Sequence, residues 1–129
     1  MPAVKFVYII LFFNLLVSCN RSDQYKSDLN KNNHPTVICK AAYKLGEAKD
    51  ISAIKPLLNN ILDVRMSTNI RFKGMTVCYC KLGALEKITG IKPPFKADQF
   101  EIDTFIVNYY VDTLIKKGVI SAGEVDINY

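Results

Sequence analysis

Along most of this chain, apolar positions recur at the spacing of helix faces. Residues 54–62 show it best. Ile54, Leu57, Leu58, Ile61 and Leu62 fall at i, i+3, i+4, i+7 and i+8, the full stripe of an amphipathic helix. Before it, Ile38, Ala41, Ala42 and Leu45 repeat the spacing behind Pro35, which suits a first helical turn, and Gly46 marks a stop. Asp50 or Ser52 can cap the helix that follows. Pro56 sits in that helix's first turn, where a missing N–H has no intrahelical acceptor. A third helix is predicted over 70–89, with Met75, Cys78, Leu82, Leu85 and Ile88 along one side, and Gly90 and Pro93-Pro94 ending it. Asp98 with Glu101 makes a capping-box-like start for a fourth, which carries Ile102, Phe105, Ile106, Tyr109, Tyr110 and Leu114 and closes at Lys116-Lys117-Gly118. Val125, Ile127 and Tyr129 alternate like a short strand without a partner. The expectation is an all-α domain of about four helices over 35–118, with a C-terminal tail at 119–129.

The first 18 residues follow another pattern. One lysine, Lys5, precedes a nearly unbroken apolar run from Phe6 to Val17. About 12 residues is too short for the roughly 20 that span a bilayer as a helix, and it matches the core of a signal peptide. The run ends in Leu16-Val17-Ser18-Cys19, which resembles the bacterial lipobox. That resemblance implies a lipoprotein signal peptide over 1–18, cleavage before Cys19, and a diacylglyceryl group on the Cys19 thiol. Two acyl chains suffice for stable anchoring without a transmembrane helix. Asn20 follows where an Asp would direct inner-membrane retention in enteric bacteria, so the outer membrane is the favoured site. Residues 19–34 are otherwise polar, with little to bury against the entropy of ordering, and read as a flexible tether. His34, the one histidine, lies at its end as an exposed cap rather than a metal ligand.

Val37, Ala41 and Leu45 map onto Cys80, Ala84 and Ile88 at a constant offset of 43, within the period of helical-hairpin repeats. Leu45-Gly46, Asp50, Ala53-Ile54, Leu57-Leu58 and Leu62, then Ile70-Arg71, Ala84-Leu85 and Ile88-Thr89-Gly90, are together similar to the HEAT repeat pattern. The resemblance covers about residues 36–90, and 98–117 would supply a last helix. About two helical turns more than a standard repeat lie between Ile70-Arg71 and Ala84-Leu85. HEAT arrays are mostly protein-binding scaffolds, and a few relatives act as lyases on bilin chromophores. The resemblance thus implies short HEAT-like hairpins with a binding surface and carries over no catalytic residue. Repeat units lean on their neighbours, and three or more are usually needed. With two at most here, either the last helices close a four-helix core, the favoured outcome, or an apolar face awaits a partner.

Cysteines and charge add little chemistry. Cys78 and Cys80, two apart on a helix, point about 200° from each other and cannot share a metal. The favoured reading of the thiols is as small buried hydrophobes. A Cys39–Cys80 bridge stays open if their Cα atoms lie within ~7 Å. The chain carries a net charge of +5, concentrated over residues 20–97 with 14 basic and 6 acidic side chains. Lys40, Lys44, Lys55, Lys81 and Lys87 are read as solvating outer helix faces rather than gripping anionic headgroups. There is no nucleic-acid reading motif, phosphate loop, zinc-binding His pair or activated nucleophile, so no catalytic residue, metal or cofactor is assigned. The expected function is that of a non-enzymatic, lipid-anchored protein-binding module in the cell envelope. Its partners are the membrane, through Cys19, and an unidentified protein, met through Tyr43, Tyr79, Tyr110 and Arg71. An immunity-type inhibitor of a toxin is the alternative, with a small lyase-like enzyme behind it.

Overall fold

The computed structural model describes residues 21–129, which are all-α, with no strand among them. A first helix, α1, covers residues 21–28; α2 is Pro35–Ala48 and α3 is Ile54–Leu58, entered through a 3-10 turn at Ile51–Ala53; α4 is Val77–Thr89 and α5 is Thr104–Lys116. Each major start has its own cap. The His34 imidazole accepts from the Thr36 N–H, the Asp50 carboxylate from Ser52, the Thr76 hydroxyl from Tyr79, and Asp103 from Ile106. Helix α2 does not stop at Gly46. It runs on to Ala48 and ends where Lys49 turns left-handed at φ 50°. Gly46 instead serves the packing, because a Cβ there would stand 3.0 Å from the Ala84 Cα.

That close approach is the centre of the fold. Ile38, Cys39, Ala41, Ala42 and Leu45 of α2 meet Cys78, Leu82, Ala84 and Leu85 of α4, all within a single buried cluster. Cys39 is bonded to Cys80 with Cα atoms 5.2 Å apart, and Glu47 pairs with Lys87 further along. The two helices therefore run in the same direction, which requires a return segment; α3 and the chain to residue 76 supply it. Leu57, Leu58 and Ile61 close the core from one side, and Ile106, Val107, Tyr110 and Leu114 of α5 join the same cluster. Each fully buried leucine of this kind contributes about 2 kcal/mol.

Four expectations are corrected. The second helix ends at Leu58 rather than Leu62, because Asn60 turns left-handed at φ 54° and the chain leaves to pair with the tail. The N–H groups of Asn60 and Leu62 donate to the carbonyls of Asp126 and Ile127, so the strand-like tail has a partner after all, though only two bonds long. The third helix begins at Val77, not Ile70, and the two extra turns are a loop. The fourth begins at Thr104, while Asp98 caps a tight turn by accepting from the Phe100 N–H at 2.7 Å.

The segment 21–34, read as a tether, is folded onto the domain in the structure. Leu29 is buried, the Ser22 hydroxyl donates to Asp50, and Lys26 donates to the Ser52 hydroxyl at 2.9 Å. The Arg65 guanidinium donates to the carbonyls of Lys31 (2.7 Å) and Asn33 (3.1 Å). Hydrogen bonds to the body replace the apolar burial that this composition lacks. The signal segment, Cys19 and Asn20 lie outside the described residues.

Candidate functional site

Of the four residues expected on an interaction surface, three converge. Tyr43 on α2, Arg71 in the loop before α4 and Tyr79 on α4 line one hollow of about 250 Å³, with Phe72, Met75 and the Cys39–Cys80 bridge in its wall. The Tyr43 ring lies 5.9 Å from Phe72, centroid to centroid. Two cations face the same ring, the Arg71 guanidinium at 5.6 Å and the Lys87 ammonium at 4.6 Å. Lys87 also engages Glu47, and that pairing holds the Glu47 carboxyl below its usual range.

Tyr110 is corrected. It is 1% exposed, and its hydroxyl donates to the Ile91 carbonyl at 3.0 Å, so it is a core residue. Burial, with Glu86 and Tyr109 adding to it, pushes the phenol above its ordinary range. The spacing Ile106, Tyr110, Leu114 already marked it as part of the inner stripe. A second hollow of about 490 Å³ lies on the other flank of α4, between Leu82, Glu86, Lys92, Phe95 and Lys96, with Tyr110 in its floor.

The loop from Ser67 to Met75, missed as a loop by the periodicity, is braced throughout. Met66 and Thr76 form an isolated β-bridge, Ser67 donates its N–H to Met75 and accepts from Gly74, and Phe72 is buried beneath. Asn69 caps the turn by accepting from the Arg71 N–H at 2.9 Å, and the Thr36 hydroxyl holds Ser67 and Thr68. At the tip Ile70 stands 92% exposed. A compact loop of this length with joined ends and its own packing is commonly functional. From Val64 to Leu85 the sequence contains no acidic residue, so the loop and the hollow behind it present cations alone.

A polar cluster lies elsewhere. Lys81, expected on an outer face, is 1% exposed; its ammonium donates to the Asn59 carbonyl at 2.8 Å. Its position between Cys78 and Leu82 in the inner stripe is the signal that pointed inward. Asp63, equally buried, is held by Arg65 in a two-pronged pair of 2.7 and 3.0 Å. Arg65 in turn lies 4.7 Å over the Tyr129 ring. Lys81, Asp63 and Arg65 line neither hollow. Among the described residues no group of three His, Cys, Asp or Glu could hold a metal ion, and no helix is long and apolar enough to cross a membrane. Comparison with protein-family models, curated proteins and solved structures gives no match.

This cluster sets a pH profile. Burial, opposed by Asp63, lowers the Lys81 amine to about 8, and burial raises the Cys78 thiol to about 11. Between pH 8 and 10.5 the unfolded chain holds a proton on Lys81 that the folded chain has lost, so stability rises with pH. Between pH 9 and 11 the folded chain keeps the Cys78 proton that the unfolded chain has lost, so stability falls. Urea titrations should show a gain of about 1 kcal/mol from pH 7 to 9 and little more to pH 10. Cys78→Ala should let the climb continue to about 2 kcal/mol by pH 10, and Lys81→Met should abolish it. A climb that survives Lys81→Met would count against this assignment.

Proposed function

We propose that this chain is a lipid-anchored protein-binding module of the bacterial cell envelope, built as a short HEAT-like stack. The observation that carries the reading is the braced loop at 67–75, which holds Ile70 out in water beside an aromatic, cation-rimmed hollow. An exposed large apolar side chain costs nothing to tolerate singly, but fixing it at the tip of a hydrogen-bonded loop lowers the entropy lost on docking. Tyr43, Tyr79 and Arg71 are of the residue types that dominate protein interfaces. The Cys39–Cys80 bridge suits an oxidising compartment beyond the cytosol, in keeping with the lipobox-like segment ending at Cys19. Helices α2 and α4, parallel and bridged at a separation of 41 residues, are related as equivalent helices of successive repeats would be.

The same loop favours one second reading, an immunity-type inhibitor. A rigid projection with an apolar tip and flanking cations, Ile70 between Asn69 and Arg71 with Lys73 beyond, fits insertion into the cleft of an incoming toxin. Co-production with a toxin encoded beside it tests that reading by survival.

Fractionation and capture in the native host test the main one. Wild-type protein should sediment with membranes and Cys19→Ser should move to the soluble fraction. A protein captured with the wild type should be lost with Ile70→Asp at unchanged melting temperature. Retention of Cys19→Ser on the membrane, or capture indifferent to Ile70→Asp, would contradict it.

A further inference from the structure

Helix α4 carries a glycine at its middle for which the packing gives no reason. Gly83 is solvent-exposed, and a Cβ built on it would meet nothing within 4 Å, whereas Gly46 on the facing helix is pressed against Ala84. A mid-helix glycine is unfavourable relative to alanine and is used where another backbone must come close. What lies over Gly83 is the meeting point of the two hollows, for both Gly83 and Tyr79 line each of them. We propose that the hollows form one trough crossing α4, with Gly83 as its saddle, and that it takes an extended, acidic segment of a partner protein. This rests on the protein-binding reading and specifies its partner.

The chemistry of the trough selects that occupant. Arg71 and Lys87 line one side and Lys92 and Lys96 the other, against Glu86, while Glu47 is already engaged by Lys87. Apolar floors on both sides, Phe72 and Met75 in one and Leu82 and Phe95 in the other, ask for apolar side chains between the carboxylates. An extended chain advances about 3.3 Å per residue. Residues four apart therefore stand about 13 Å from each other and straddle a helix 10–12 Å across. The main chain between them would pass over the saddle, where a side chain would stop it. An anionic lipid fits poorly, since it needs one charged end and one undivided apolar slot. Here the apolar volume is split by α4 and cations flank both halves.

The test uses the mature chain and fluorescein-labelled peptides of alternating glutamate and leucine, with an alternating lysine and leucine peptide and phosphatidylglycerol vesicles as the other arms. The glutamate peptide should bind, and its amide perturbations in an NMR titration should centre on Tyr79, Gly83 and Lys87. Gly83→Leu should weaken that binding at least tenfold while the melting temperature holds or rises, and Gly83→Ala should raise the melting temperature by a few degrees with a smaller loss of affinity. The trough is overturned if the glutamate peptide fails to bind, if the lysine peptide binds equally, if Gly83→Leu leaves affinity unchanged, or if vesicles rather than peptide compete through Gly83. Binding of the native partner that depends on Ile70 but not on Gly83 would sink the trough and leave the protein-binding reading standing.

Discussion

Replacing Cys39 and Cys80 together by alanine should lower unfolding stability by about 4 kcal/mol. The bridge closes a loop with a sequence separation of 41. Loop-closure entropy for that length gives the figure directly, and removal of native bridges from small exported domains spans about 2–5 kcal/mol. The loop it closes holds α3, the return chain and the Ser67–Met75 brace, so the cost falls on the elements that present Ile70. A described domain of this size has only modest stability to spare. Reductant should therefore bring wild type close to the double variant in a urea titration, and the variant itself should be insensitive to reductant. A reductant-insensitive wild type would mean that the bridge contributes nothing.

Arg65→Met should cost about 3 kcal/mol, for a different reason. Asp63 is 1% exposed, and the guanidinium is its principal charged partner; cutting that pair leaves a buried carboxylate with the backbone N–H of residue 65 and the neighbouring Lys81. The same side chain ties down residues 31–33 and stacks on Tyr129, so both ends of the described chain loosen together. The Arg65 side chain keeps 29% of its surface in water, which is why the figure sits at the low end for a broken buried pair. Asp63→Asn in the Arg65→Met background should recover at least about 1 kcal/mol, as coupled neighbours do. Strict additivity of the two changes would show that the pair is not coupled.

Most helix faces and some caps were legible because they are local. His34 before Pro35, Asp50 before the second helix and Gly90 after the third behave as their chemistry dictates. The loop at 67–75 was not. Ile70, Met75 and Cys78 mimic helical spacing, and the bonds that unwind the stretch come from Thr36, Asn69 and the Met66–Thr76 bridge, two of which exist only after folding. Residues 21–34 misled in the opposite sense. Their polarity is real, but Arg65, more than thirty positions away, supplies the donors that hold them. Lys81 and Tyr110 were legible and misread: each falls on the inner stripe of its helix, and the polar tip reaches a carbonyl, Asn59 for one and Ile91 for the other. The convergence of Tyr43, Arg71 and Tyr79 depends on how closely α2 and α4 approach at Gly46, a tertiary fact no spacing rule supplies. Gly83 did leave a signal, a glycine inside a run of good helix formers, and only the open space above it says what the glycine is for.

The most direct measurement is photocrosslinking in the native host from a benzophenone amino acid placed at position 70, with position 112 as the control. Asp112 is exposed on α5, on the side turned away from Ile106 and Tyr110. A discrete protein adduct from position 70, absent from position 112 and recovered with the membrane fraction, is the result expected of an anchored module that docks through its braced loop. Adducts of equal yield from both positions, or none from position 70, would contradict it.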